Sequence, residues 1–155
     1  MHSNKHVIKM ILETTQILCS VWYVSDPEHK IFTPPYKLTH KNHPSCKWAR
    51  ESKANYFWLC ELGIELCKEY TFRYGKTHKC QQYIEKLTYN TPDLLSLEFT
   101  NPTLAMPDDY KDQKNPIDSY RNYYFFEKNH LLDWKGKIAS RSIPEWVNEY
   151  KKMFE

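Results

Sequence analysis

Apolar positions recur at helical spacing through most of the chain. In residues 4–23, Val7, Ile8, Ile11, Thr15, Leu18, Cys19 and Trp22 follow that period, which predicts an amphipathic helix with Asn4 as its N-cap. His6, Lys9, Glu13 and Gln16 lie three or four apart and form a second, polar face on the same helix. Residues 44–74 repeat the pattern through Trp48, Tyr56, Leu59, Cys60, Ile64 and Cys67, with Ser52 placed to break or cap the helix midway and Gly75 to stop it. A third helix is expected over 77–88, bearing Cys80, Tyr83, Ile84 and Leu87. Asn115-Pro116 supplies an N-cap and a first-turn proline for a helix running to about Trp134, before Gly136, with Tyr120, Tyr124, Leu131 and Trp134 on one stripe. Ser142-Ile143-Pro144-Glu145 has capping-box spacing and opens a short last helix through Trp146 and Tyr150. Two stretches break the period: 25–43, with Asp26-Pro27 and Pro34-Pro35, and 89–115, with Pro92, Pro102 and Pro107. The pattern predicts an all-α single domain over 1–155, compact, with about five helices joined by long proline-containing loops.

Composition changes this picture little but colours the surface. The 155 residues carry a formal net charge of +3, three Gly and nine Pro, and 15% aromatic residues: twelve Tyr, seven Phe and five Trp. Such a chain packs a core and is neither collagen-like nor a flexible linker. Eighteen of the basic residues are Lys and only four are Arg. Charge is uneven, with seven basic and three acidic groups in residues 1–50 against one basic and five acidic in residues 81–110. Five Cys is an odd count and no secretory signal opens the chain, so the expected setting is a reducing compartment. No window reaches eighteen uninterrupted apolar residues, which argues against a membrane span.

Several chemistries can be weighed from spacing. His43-x-x-Cys46 and His78-x-Cys80 offer two nitrogens and two thiolates, but the spacing is not a usual zinc pattern, so no metal or other cofactor is expected. Gly75-Lys76-Thr77 lacks the upstream glycine of a P-loop. The turn through His78 could still hold an anion, or simply end one helix and cap the next. No Gly-x-Ser-x-Gly nucleophile elbow is present. His6, Lys9 and Glu13 place an imidazole, an ammonium and a carboxylate in register, with a solvated helix face as the alternative reading. Aromatic and basic residues interleave in residues 70–76 and 120–128. A nucleic-acid groove needs that combination, and a Tyr-rich core helix with a charged rim also explains it. Trp22, Trp58, Trp134 and Trp146 are expected in the core.

Residues 4–13, His43-Pro44 with residues 48–52 and Asn55-Tyr56, residues 70–78, 105–111 and 120–124 resemble an uncharacterised family encoded by tailed phages and large DNA viruses. The resemblance runs over nearly the whole chain. Members of that family carry a longer N-terminal segment, so either the start of this chain is misassigned or this copy is trimmed, and only the former keeps an intact site. The family is in turn distantly similar to the phage pyrimidine-dimer DNA glycosylases, small all-helical proteins that flip a nucleotide and cleave with their N-terminal amine. There an Asp-x-His opens the first helix and a catalytic Glu follows seven residues after the His; here Asn4-Lys5-His6 and Glu13 keep the spacing. Leu12 and Gln16 stand where the glycosylases have DNA-binding arginines, and the amine nucleophile has no counterpart.

The resemblance implies a viral, nucleic-acid-associated protein of the host cytoplasm, related to DNA N-glycosylases and abasic-site lyases, with DNA as partner. An amine would attack C1′ of a damaged or modified nucleotide, Glu13 would stabilise the developing positive charge, and His6 would act beside it. Lys9, Arg50, Arg73, Lys76, His78, Arg121 and Lys128 would hold the nucleic acid, and Trp48, Tyr74 and Tyr124 would stack on bases. With the N-terminus as written, no lyase activity is expected. Two other readings stand beside this one: a non-enzymatic helical binding or adaptor protein, and a nucleotide enzyme with a small-molecule pocket near Lys76 and His78. The oligomeric state is not set by the sequence.

Overall fold

A computed structural model describes residues 2–112 and 114–154. Among them six α-helices form and no strand: α1 (Asn4–Ser25), α2 (Pro44–Ala49), α3 (Lys53–Tyr74), α4 (Gln81–Tyr89), α5 (Pro116–Glu127) and α6 (Glu145–Phe154). The all-α expectation holds. The core lies between α1, α2, α3 and α4. Val7 and Ile11 of α1 meet Leu66, Cys67 and Tyr70 of α3 with Ile84 of α4, whereas Ile17, Leu18, Val21 and Trp22 meet Tyr56, Leu59 and Cys60 with the buried residues of α2. The order along α3 is reversed, so α1 and α3 run antiparallel. α3 faces both neighbours at Gly63, where an added Cβ would sit 3.0 Å from Ile84 Cδ1 and 3.2 Å from Thr14 Cγ2. Buried Tyr56 joins three elements, accepting from Trp22 Nε1 at 2.9 Å and donating to the Leu87 carbonyl at 2.9 Å.

Local chemistry explains where the boundaries depart from the periodicity. Ser52 ends the continuity of 44–74: its side chain accepts from the Asn55 amide at 3.1 Å and caps α3, leaving α2 as a separate short helix. Gly75 closes α3 in the left-handed region at φ 67, as its position predicts. α4 starts at Gln81 and not at 77, because His78 Nδ1 accepts from the Cys80 amide at 3.1 Å and holds the preceding turn outside the helix. His43 Nδ1 does the same for the Ser45 amide at the start of α2. α5 stops at Glu127 instead of reaching Trp134. The chain passes through a 3-10 turn at Asn129–Leu131 so that the Asp133 carbonyl can accept from the Asn4 amide at 2.7 Å, a contact a continued helix would carry away. Asn4 is itself not the N-cap. Ser3 occupies that position, and the Asn4 side chain is buried in other bonds.

The aromatic residues also sort differently from expectation. Trp22 and Trp134 are buried as expected and Trp146 is half-buried, but Trp58 is 39% exposed. Trp48, a candidate for base stacking, is instead in the core, with its indole N–H donating to the Thr100 carbonyl at 3.0 Å. All five cysteines are buried free thiols. Burial raises the thiol pKa of Cys19 to about 11 and of Cys60 and Cys67 to about 12, which keeps them protonated. Over an eighteen-residue window α1 has a mean hydropathy of 1.3, so by length and composition it is apolar enough to cross a membrane, although no uninterrupted apolar run reaches that length. In this fold it is the central core helix.

Candidate nucleic-acid interface

The first three turns of α1 bring the sequence-predicted groups to one face. His6 and Glu13 are seven residues apart, about two turns and roughly 10 Å along the axis, with Lys9 between them. The face is closed on one side by α5, where the His6 ring meets Tyr124 edge to face with centroids 4.8 Å apart. Tyr124 lies beside Tyr120 and Tyr123, at centroid distances of 6.5 and 5.8 Å, and Lys128 Nζ sits 5.7 Å above the Tyr123 ring. His6, Lys9, Glu13, Tyr124 and Lys128 therefore converge, although they come from opposite ends of the chain. The side chains of Glu13, Lys9 and Lys128 have no hydrogen-bond or ion-pair partner among the described residues. They are free to meet a ligand.

The electrostatics favour neutral hydrogen-bonding groups beside fixed charges. Burial, then the Lys9 ammonium and more weakly Lys128, lowers the His6 pKa, while Glu13 opposes them. Glu13 therefore lies within electrostatic reach of His6. It also acts on Tyr124, whose phenol is pushed up to about 12 mainly by burial. His6 Nδ1 pairs with Ser3 Oγ at 2.9 Å, which fixes the ring and leaves Nε2 for other partners. His2 is lowered to about 4, chiefly by burial, with Arg73 adding its charge. These shifts favour the uncharged forms of the His2 and His6 imidazoles and of the Tyr124 phenol at neutral pH.

Beneath this face a buried polar network fixes the start of α1. Arg73 is 0% exposed, and its guanidinium donates to Glu69 Oε1 at 2.7 Å, Asn4 Oδ1 at 2.8 Å and the His2 carbonyl at 3.0 Å. Asn4 Nδ2 in turn donates to Asp133 Oδ2 at 3.0 Å and the Lys135 carbonyl at 2.6 Å. Glu69 also takes Arg141, the two bonded at 2.8 Å, and Arg141 and Arg73 together hold its carboxyl below the usual range. Asparagine supplies here a donor that aspartate would lack, and it avoids a second carboxylate against Asp133. Arg73 was expected to grip a nucleic-acid backbone. Its guanidinium instead organises the interior.

Among the described residues, the other expected side chains make no hydrogen bond, ion pair or ring contact with those of His6, Lys9, Glu13, Tyr124 or Lys128. Arg50 Nη1 donates to the Lys41 carbonyl at 2.6 Å, and the side chain lines a cavity of about 330 Å³ with Val24, Ser25, Glu51, Asp93 and Leu94. Val24 is eighteen residues beyond His6, about 27 Å along α1. Arg121 pairs with Asp118 at 3.3 Å and lies 5.9 Å above the Trp146 ring, turned toward α6. Lys76 is exposed in the α3–α4 turn, where half-buried His78 packs edge to face on Tyr70 at 4.9 Å and Tyr74 stands 4.9 Å from Tyr70. Sequence reasoning missed His2 and Ser3 as parts of the site and read Asn4 as a cap and a motif position, not as a member of the buried network. The signal was Ser3 three residues before His6, capping-box spacing with imidazole in the place of the usual carboxylate. Among the described residues no group of three or more His, Cys, Asp or Glu is placed to hold a metal ion. Compared with models of protein families, with curated proteins and with solved structures, the chain matches none.

Proposed function

We propose that this protein binds nucleic acid across the α1–α5 face and acts there on a damaged or modified nucleotide, as a distant relative of the DNA glycosylases. The observation that carries the reading is the packing of His6 against Tyr124, which joins the polar face of α1 to the aromatic and basic rim of α5. Lys9 and Lys128 meet phosphate, the tyrosines offer stacking surface, and Glu13 stabilises positive charge developing at the sugar C1′. Water adds at C1′ as the bond to the base breaks, its proton leaving with the base, and His6 hydrogen-bonds base or sugar through Nε2.

A second reading, a non-enzymatic nucleic-acid binder, is favoured by one observation: the cavities of about 330 and 340 Å³ lie at Arg50 and between α3 and α4, away from Glu13. Neither is lined by Lys76 or His78, so they give no support to a small-molecule nucleotide enzyme at that turn. Incubation with duplexes bearing an abasic site or a modified base, with and without borohydride, separates the readings. Strand processing that falls roughly 100-fold or more in Glu13→Gln supports the enzyme. Binding without processing, unchanged in Glu13→Gln, supports the binder. Absence of both binding and processing removes the proposal.

A further inference from the structure

Two of the chain's three glycines sit where residues 133–141 lie against the start of α1 and the end of α3. At Gly136 an added Cβ would strike the Ala139 carbonyl oxygen and come within 2.9 Å of the Arg73 backbone oxygen, and at Gly75 it would strike Ile138 Cδ1. Only glycine allows so close an approach. Hydrogen bonds fasten it: the Ile138 amide donates to the Arg73 carbonyl at 3.0 Å, the Arg141 amide to the Trp134 carbonyl at 3.0 Å, and Asn4 Nδ2 to the Lys135 carbonyl at 2.6 Å. Arg141 closes the far end, bonded to Glu69 and lying 3.9 Å over the Phe72 ring. The segment is a non-helical strap held across two helix ends.

The strap gathers lysines that are distant in sequence. Lys135 and Lys137 belong to it, Lys76 follows Gly75 where Ile138 packs, and Lys5 follows Asn4, which bonds the Lys135 carbonyl. All four are exposed, and their side chains have no hydrogen-bond or ion-pair partner among the described residues. The two carboxylates bonded into this junction are already engaged. Glu69 takes Arg73 and Arg141, and Asp133 accepts from Asn4 Nδ2 and from the Lys135 amide. Six cations thus accompany two carboxylates, a larger excess than the +3 of the whole chain. Lys5 stands about one turn from Lys9 on α1, so the patch runs into the α1–α5 face. Cations spread over three segments suit the spaced phosphates of a nucleic-acid backbone, whereas lipid surfaces are met by lysines grouped along an amphipathic helix or beside an anchor. We propose that Lys5, Lys76, Lys135 and Lys137 bind backbone phosphates flanking the nucleotide held at the α1–α5 face, an inference that rests on that reading of the face.

The test follows binding of a duplex of about 20 base pairs, roughly 70 Å long, across roughly 50 to 200 mM salt. It compares the parent chain, Lys76→Ala/Lys135→Ala/Lys137→Ala, the same three positions changed to arginine, and Lys9→Ala/Lys128→Ala. The alanine triple variant should lose about 2.7 from the slope of log affinity against log salt, at about 0.9 for each lost contact, and the arginine variant should keep the parent slope. Thermal unfolding midpoints matching the parent show that the variants remain folded. An unchanged slope in the alanine triple variant, with a loss in Lys9→Ala/Lys128→Ala, would overturn the strap proposal and leave the face standing. No duplex binding by the parent would overturn both. Binding to phosphatidylserine vesicles that the alanine triple variant loses, with its duplex slope unchanged, would give the patch to a membrane instead.

Discussion

The two ends of α1 meet opposite chemistry. At its start, His6, Lys9, Glu13 and Lys128 lie beside a cluster of tyrosines, and a buried arginine network holds the backbone. At its far end, about 27 Å away, Arg50 shares a cavity with Glu51 and Asp93, and the neighbouring connector exposes leucine, phenylalanine and glutamate. A net charge of +3 conceals this division. The lesson is that a small net charge says little about local surroundings when a long central helix carries its two ends into different ones.

The largest break in that comparison comes from Arg73. Arg73→Met leaves Asn4 Oδ1 and the His2 carbonyl without their donor and removes one of the two cations on Glu69, so urea unfolding should show a loss of about 3–5 kcal/mol. Arg73→Lys should recover little of it, because one ammonium cannot reproduce the planar fork that reaches three partners. The pH dependence of stability sharpens the same end of the molecule. The folded-state pKa of His2, about 4, lies below its unfolded value near 6.5, so the unfolded chain binds more protons between these limits. That contribution is fully present above about pH 6.5 and declines as pH falls toward 4, by on the order of 2 kcal/mol, with His6 acting in the same direction. Urea midpoints across this window should slope less steeply in His2→Gln. The smallest effect belongs to the far end: Trp58→Ala removes a half-exposed ring at the surface and should cost about 1 kcal/mol or less by the same denaturation.

Much of the fold was legible in the sequence because its helices are amphipathic and sharply punctuated. The stop at Gly75, the start at Asn115-Pro116 and the cap at Ser52 follow from single residues whose backbone or side-chain preferences are strong. The end of α5 did not, because it is set by a tertiary bond between Asp133 and Asn4 that no local pattern carries. The candidate site divides in the same way. His6, Lys9 and Glu13 share a helix face by period alone, and the stripe of α5 named Tyr124. Their meeting required the tertiary fold. Arg73 misled because an arginine beside aromatics reads as a surface cation, and nothing in the local sequence announces that Asn4, sixty-nine residues earlier, accepts its hydrogen bond. Trp48 and Trp58 exchanged roles for a related reason. Thr100, far along the chain, supplies the acceptor that draws Trp48 inward.

Binding of a labelled duplex followed across roughly 50 to 200 mM salt tests the central claim most directly. The parent chain, Lys9→Ala/Lys128→Ala at the start of α1, and Lys41→Ala/Lys47→Ala near its far end form the comparison. Each phosphate contact contributes about 0.9 to the slope of log affinity against log salt, so the first double variant should lose about 2 from the slope and the second should keep the parent value. Equal slopes in all three proteins, or the larger loss in Lys41→Ala/Lys47→Ala, would contradict the assignment of nucleic acid to the α1–α5 face.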